Sequence, residues 1–357
     1  MTWRVLVIST LAVFLAALVM VVLVAVTKTG RTARASRRRA VLAPFRHDLI
    51  MVSSGEDEGG HAAQRLRGSS GPAGEEVDRA VIRLLGKIRG LPAEQLVEVL
   101  WHHGTVRAAT RLLRHRSPVR RAQAAQALGL SRERAAVPDL ITALDDDAIE
   151  VRTSAAYALG LIGDRAAARR LLEVVDRPDA GIPSGITAGA LVGMGIEIGD
   201  DLLAALASER AGERLVAAYV SGVGSFTRSL PQLRELLTGD SDVTVREEAG
   251  RAIGVIGGAD DVAVLAHHTA PGQPVPLRRV CAAALGDLGD PRAVPVLAGL
   301  LDDPDPRLAE LAARALVELG TSGRGVVEGY VQLDDPADGR GRPVEAALTI
   351  ARLQGAL

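Results

Sequence analysis

The sequence predicts an all-α protein: a right-handed α-solenoid of about seven helix pairs, preceded by a single transmembrane helix. Three observations predict it. A unit of 29 to 33 residues recurs from about residue 117, one position in each unit admits only small side chains, and residues 5–26 form a run of 22 without a charge. Composition agrees. Hydrophobic residues make up 48% of the 357 and aromatics only 2%, so Ala, Leu, Val and Gly must do packing that rings usually dominate. That suits helices lying close together.

The uncharged run sets the first boundary. At about 1.5 Å per residue it reaches roughly 33 Å, enough to cross a hydrocarbon core. It is too long for the apolar part of a cleaved signal peptide. Residues 1–27 therefore read as a transmembrane anchor. Behind it, 28–47 form a basic juxtamembrane segment with Lys28, Arg31, Arg34, Arg37, Arg38, Arg39 and Arg46, against Arg4 alone in front. This asymmetry places the C-terminal side in the cytoplasm. Anionic lipid is a candidate ligand of the basic segment. Residues 48–76 mix Gly, Ser and charge with little periodicity and read as a flexible linker. Residues 77–357 are assigned to the solenoid, with terminal capping helices at 77–100 and 343–354.

The repeat is located by a Gly that follows an aliphatic residue: Gly129, Gly160, Gly193, Gly222, Gly254 and Gly286, with Val317 in the seventh copy. Five residues before it stand Ala124, Ala155, Ala188, Ala217, Ala249, Cys281 and Ala312. Nine after it, Pro138, Pro231 and Pro295 open apolar stretches, where a first-turn Pro costs no hydrogen bond. Each unit thus reads as an Ala-rich helix ending at a Gly-containing turn, then a second helix closing in Asp-rich turns such as Asp145-Asp146-Asp147. Pairs of this kind stack to bury a continuous core. The copy at 180–208 is Gly-rich and reads as distorted.

The string "DDDAIEVRTSAAYALGLIGDRAAARRLLEVV" resembles the short bacterial HEAT repeat, also called the phycobilisome-lyase-type HEAT-like repeat. The resemblance covers roughly 105–335. It implies that Arg121, Arg152, Arg214, Arg246 and Arg278, eight residues before the marker, form an Arg–Asp ladder tying each helix to the acidic turn before it. Lyase chemistry does not follow from the repeat alone. Iron-binding hydroxylases of similar fold carry His-Glu dipeptides, and none occurs here.

Other chemistry is poorly provided for. With one cysteine, Cys281, no intrachain disulfide forms, and its register with six alanines makes it a small buried side chain. His102-His103 and His267-His268 are neighbours that do not share a helix face, so no metal is expected. From residue 75 onward, 39 acidic residues outnumber 32 basic ones, which argues against nucleic acid. No phosphate-loop or nucleophile-elbow string appears. The expectation is a non-enzyme without a cofactor.

What varies in a fixed frame carries the functional reading. Positions seven and three before the marker share a helix face, and there Thr153, Tyr157, Ile186, Leu215, Tyr219 and Arg251 form a candidate protein-binding groove, since Tyr is favoured at interfaces. The sequence therefore reads as a single-pass scaffold or regulator presenting an acidic solenoid at the inner membrane surface to a membrane- or envelope-associated protein. The alternatives are a non-catalytic subunit of a membrane or envelope enzyme complex, and a HEAT-like lyase or hydroxylase.

Overall fold

The computed structural model describes residues 36–175, 177 and 181–333, with Trp3, Met20, Lys28 and Val344 as isolated positions. The chain divides into two compact units, one up to Arg111 and one from Leu112. The regular secondary structure among the described residues is helical, apart from an isolated bridge between Val175 and Ile182. No helix among them is long and apolar enough to cross a membrane. Apart from Trp3 and Met20, the segment expected to do so lies outside the described residues, as do Arg31, Arg34 and, but for Val344, the second capping helix.

In the first unit, α1 (Arg46–Ser54), α2 (His61–Arg67), α3 (Gly71–Leu85), α4 (Leu91–His102) and α5 (Thr105–Leu112) follow one another closely. The flexible linker expected over 48–76 is thereby corrected. Charge and glycine hid a helical spacing. Leu49 and Val52, Ala62, Ala63 and Leu66, and Val77 and Val81 recur at three- and four-residue intervals, and all are buried. The glycines terminate helices instead of loosening the chain: Gly55, at φ 79°, is the left-handed cap of α1. Asp57 accepts the amide N–H groups of Ala62 (3.0 Å) and Ala63 (2.8 Å) and so closes the start of α2. Those bonds, Ala63's first, hold its carboxyl below the usual value. Residues 77–100, expected as a capping helix, belong to the first unit. They supply most of α3 and α4, and α4 packs on α1, α2 and α3.

The described residues of the second unit form seven helix pairs: α6 (Pro118–Leu130) with α7 (Val137–Ala143), α8 (Ile149–Ile162) with α9 (Ala168–Glu173), α10 (Ser184–Val192) with α11 (Gly199–Leu206), α12 (Ala211–Val223) with α13 (Leu230–Gly239), α14 (Val243–Ile256) with α15 (Val262–His267), α16 (Val275–Asp287) with α17 (Val294–Ala298), and α18 (Pro306–Glu318) with α19 (Thr321–Leu333). The first helix of each pair packs on the first helix of the next. Pro138, Pro231 and Pro295 fall in the first turn of α7, α13 and α17.

The marker glycines do not form the turn the spacing suggests. Gly129, Gly160, Gly222, Gly254 and Gly286 lie inside the last turn of their helices. Their reason is contact between neighbours. A Cβ on Gly129 would stand 2.5 Å from Cα of Ala158, and one on Gly254 would stand 2.7 Å from Cβ of Ala284. Gly is the residue that lets two backbones approach this closely. Val317 replaces it in the seventh pair, where no further first helix follows among the described residues.

The same contact corrects the register of the third pair. Gly129, Gly222, Gly254 and Gly286 meet the residue two before the next marker: Ala158, Ala252, Ala284 and Ala315. Gly160 meets Ala190, so the marker position of α10 is Val192, one residue earlier than the glycine suggests. Ala190 is consequently buried and leaves the open face.

Candidate protein-binding face

On the first helices of the pairs, exposure recurs at positions three before and one after the marker: Tyr157 in α8, Tyr219 and Val223 in α12, Arg251 and Val255 in α14, Arg314 and Glu318 in α18. With the register corrected, α10 contributes Gly185, Gly189 and Gly193 to this face. A Cβ on Gly185 or Gly189 would meet nothing within 4 Å. A bare floor therefore separates a ridge carrying Tyr157 from one carrying Leu215 and Tyr219. The two tyrosines are 49% and 43% exposed, too much for core residues.

Of the other candidates, Thr153 and Leu215 are half-buried, and Ile186 is exposed beside the floor. The Thr153 hydroxyl donates back to the Glu150 carbonyl at 3.3 Å. Arg251 pairs with Glu248, which faces the far end of the trough. There Ser184, Gly185, Ala188, Leu215, Val216, Tyr219 and Glu248 line a pocket of about 230 Å³. Sequence reasoning missed Glu248 because it lies one position off the predicted stripe.

The ladder arginines lie to one side of this face and divide their bonds between two turns. Arg121 donates from Nη1 to the His115 carbonyl before its helix (2.9 Å), and its Nε and Nη2 grip both oxygens of Asp146 at 2.6 Å. Asp146 lies in the turn after the pair, not the turn before, which corrects the expected direction of the ladder. Arg214 repeats the arrangement with the Ser208 carbonyl and Asp240, and Arg278 with the Thr269 carbonyl and Asp303. Each of these carboxylates also accepts the amide N–H two residues on, from Ala148, Asp242 and Asp305, which fixes the start of the next first helix. Burial would push the Asp146 carboxyl up, but its bonds from Arg121 and the Ala148 amide hold it below the ordinary value. Arg152 is buried and donates to the Asp146 and Asp147 carbonyls. Arg246 meets the neutral Gln273 at 2.8 Å in place of a carboxylate. A parallel rung, unforeseen in the sequence, joins Arg234 of α13 to the buried Asp261.

Among the membrane-proximal basic residues, Lys28, Arg37, Arg38 and Arg39 are exposed, and Arg38 stands 3.5 Å from Glu76. Cys281 is buried and its thiol is pushed up to about 12 by burial, which disfavours the thiolate. His268 is buried, which, with Arg246 close by, holds its ring below the usual histidine value. In the first unit Ser69, Asp78 and His103 come together. The Ser69 hydroxyl, however, donates to the Leu66 carbonyl (2.8 Å), and His103 is held between Asp78 Oδ1 (2.6 Å from Nδ1) and the Arg67 carbonyl (3.2 Å from Nε2). Ser69 Oγ also stands 3.5 Å from His103 Nε2, and the grouping ties α3 to the segments that follow α2 and α4. No cluster of three potential metal ligands occurs among the described residues.

The family described as HEAT repeats matches residues 106–191 and 272–341. Together these stretches make up less than half of the chain, which is similar to that family over them. Between them the same pairing of helices continues. The karyopherin Kap121p, in its complex with Nup53p, is similar over 80% of this chain and 37% of its own length, at 11% identity and a TM-score of 0.52. The CpcE–CpcF complex of phycocyanin lyase from Nostoc sp. PCC7120 matches at 22% identity over 68% of this chain and 94% of that one, with a TM-score of 0.34. Human deoxyhypusine hydroxylase matches at 20% identity, covering 79% and 99%, with a TM-score of 0.30. At 11% identity the likeness to the karyopherin speaks for the fold alone, and at TM-scores of 0.34 and 0.30 the other two carry no argument. No curated protein matches the chain.

Proposed function

We propose that the protein is a non-enzymatic scaffold or regulator, held at the inner face of the cell membrane, whose HEAT repeats bind a protein through the trough of the second to fourth pairs. The observation that carries the binding half is the placement of Tyr157 and Tyr219. They stand half-exposed in a slot that other pairs fill with Gln126, Arg251 and Arg314. Packing gives no reason for rings there, whereas a covering partner does. The karyopherin named above was solved bound to Nup53p, an instance of a fold of this kind accommodating a protein ligand. The membrane half rests on the 22 uncharged residues at 5–26 and the seven basic residues that follow. A membrane- or envelope-associated partner follows from confinement to the membrane plane, with anionic lipid at the basic segment as an accessory contact.

A photo-crosslinking amino acid in place of Gly189, in the full chain in cells, tests both halves. The expected product is a discrete adduct in the membrane fraction, with a C-terminal reporter active in the cytoplasm and no adduct from the same substitution at Arg314. Adducts confined to the soluble fraction or formed equally at both positions, or a reporter active only after export, would overturn the proposal.

A further inference from the structure

We infer that the pocket where the trough meets α14 takes one cationic side chain, lysine or arginine, from a basic stretch of the bound protein. This rests on the trough being the binding face.

Size comes first. At about 230 Å³ the pocket is smaller than the roughly 300–1,000 Å³ of small-molecule and cofactor sites, so it suits one long side chain. Its walls differ in kind. Ala188, Leu215 and Val216 are apolar, Tyr219 offers a ring face, Gly185 leaves the opposite side open, and Glu248 supplies the one carboxylate. No basic residue is among the lining.

Glu248 decides the charge of the occupant. Its side chain is only 13% exposed. One oxygen, Oε2, is engaged by Arg251 from three residues along the same helix, while Oε1 has no hydrogen bond among the described residues. Burial pushes the Glu248 carboxyl up despite the pull of Arg251. An acidic side chain entering here would meet a carboxylate. A purely apolar one would cover Oε1 and leave it unpaired, which is costly. A lysine or arginine does neither. Its stem lies along Leu215 and Val216, as such stems do on apolar surface. Its head reaches Oε1 for a charge-assisted bond beside the face of Tyr219. The excess of acidic over basic residues from 75 onward, 39 to 32, favours approach of a basic stretch.

Panning the full-length chain in detergent micelles against a displayed library of short random peptides tests this. Wild type should enrich peptides sharing a Lys or Arg at one aligned position. Glu248→Gln should lose that preference by about tenfold or more while keeping its melting temperature. Exchanging the selected Arg for citrulline, or the Lys for norleucine, should weaken binding to wild type by a similar factor, an arm that needs no protein variant. Selected peptides without a basic preference, or a preference that survives in Glu248→Gln, would overturn the inference. If their capture still falls with Tyr157→Ala, the trough itself stands. Failure of folded wild type to select any peptide would overturn both.

Discussion

Gly160→Ala should destabilise the protein by about 3 kcal/mol, and Gly189→Ala should stabilise it by about 0.5–1 kcal/mol. The two sites are one repeat apart, on successive first helices. At Gly160 the new methyl would lie 2.5 Å from Cα of Ala190 and 3.0 Å from its Cβ and carbonyl oxygen. Backbone cannot move aside as a side chain can, so α8 and α10 must separate along their contact. At Gly189 nothing lies within 4 Å, and only the helix propensity of alanine is felt. At about 2–4 °C per kcal/mol for a unit of this size, the melting temperature should fall by about 6–12 °C in the first variant and rise by about 1–4 °C in the second. Shifts of the same sign would show that the stacking contact has been misplaced.

Asp303→Ala should cost about 3–5 kcal/mol, because it strands a buried guanidinium. The Arg278 and Asp303 side chains are 6% and 8% exposed, and Asp303 also fixes the amide of Asp305. Gln273→Ala, at the rung where Arg246 has a neutral partner, should cost only about 1 kcal/mol. Carboxylates held low by their hydrogen bonds also set the acid limit of the fold. Asp305 is held low by its bonds from Arg279, Asp242 by those from Thr244, and Asp146 by those from Arg121 and Ala148 against the opposing effect of burial. A carboxyl whose folded value is depressed contributes stability that is complete above its unfolded value, about 4, and is lost as pH falls through the folded one. Glu248 and Asp287, pushed up by burial, act in the opposite sense. Chemical denaturation followed from pH 7 downward should therefore show a plateau and then a decline below about pH 4, shallower in Asp146→Asn. A decline beginning near pH 6 in wild type, and unchanged in that variant, would show that these carboxylates do not set the limit.

The repeats were legible because stacking imposes one-letter constraints at fixed intervals. An alanine at position 158 and a glycine at 254 each meet a neighbour about thirty residues away, Gly129 and Ala284, so they recur with its period. What failed to show in the sequence has physical reasons as well. Residues 46–67 form helices whose apolar spacing is diluted by Asp48, Asp57 and three glycines that serve as caps and turns. The slip at Gly193 arose because α10 carries glycines for two purposes, on an open face and near a contact, and a letter does not say which. The direction of the ladder was equally hidden, since Arg152, Arg214 and Arg246 each follow acidic residues closely, and only the bidentate bond from Arg214 to Asp240 selects the later turn. Glu248 falls off the stripe and enters the trough only because α12 and α14 are stacked.

The most direct measurement of the trough as a binding face is capture by the full-length chain carrying Tyr157→Ala and Tyr219→Ala together, read beside its melting temperature. Both rings are about half exposed, so the variant should melt within about 2 °C of wild type while losing the protein that wild type retains by tenfold or more. Retained capture at an unchanged melting temperature would contradict the account and move the binding surface to another face of the repeats.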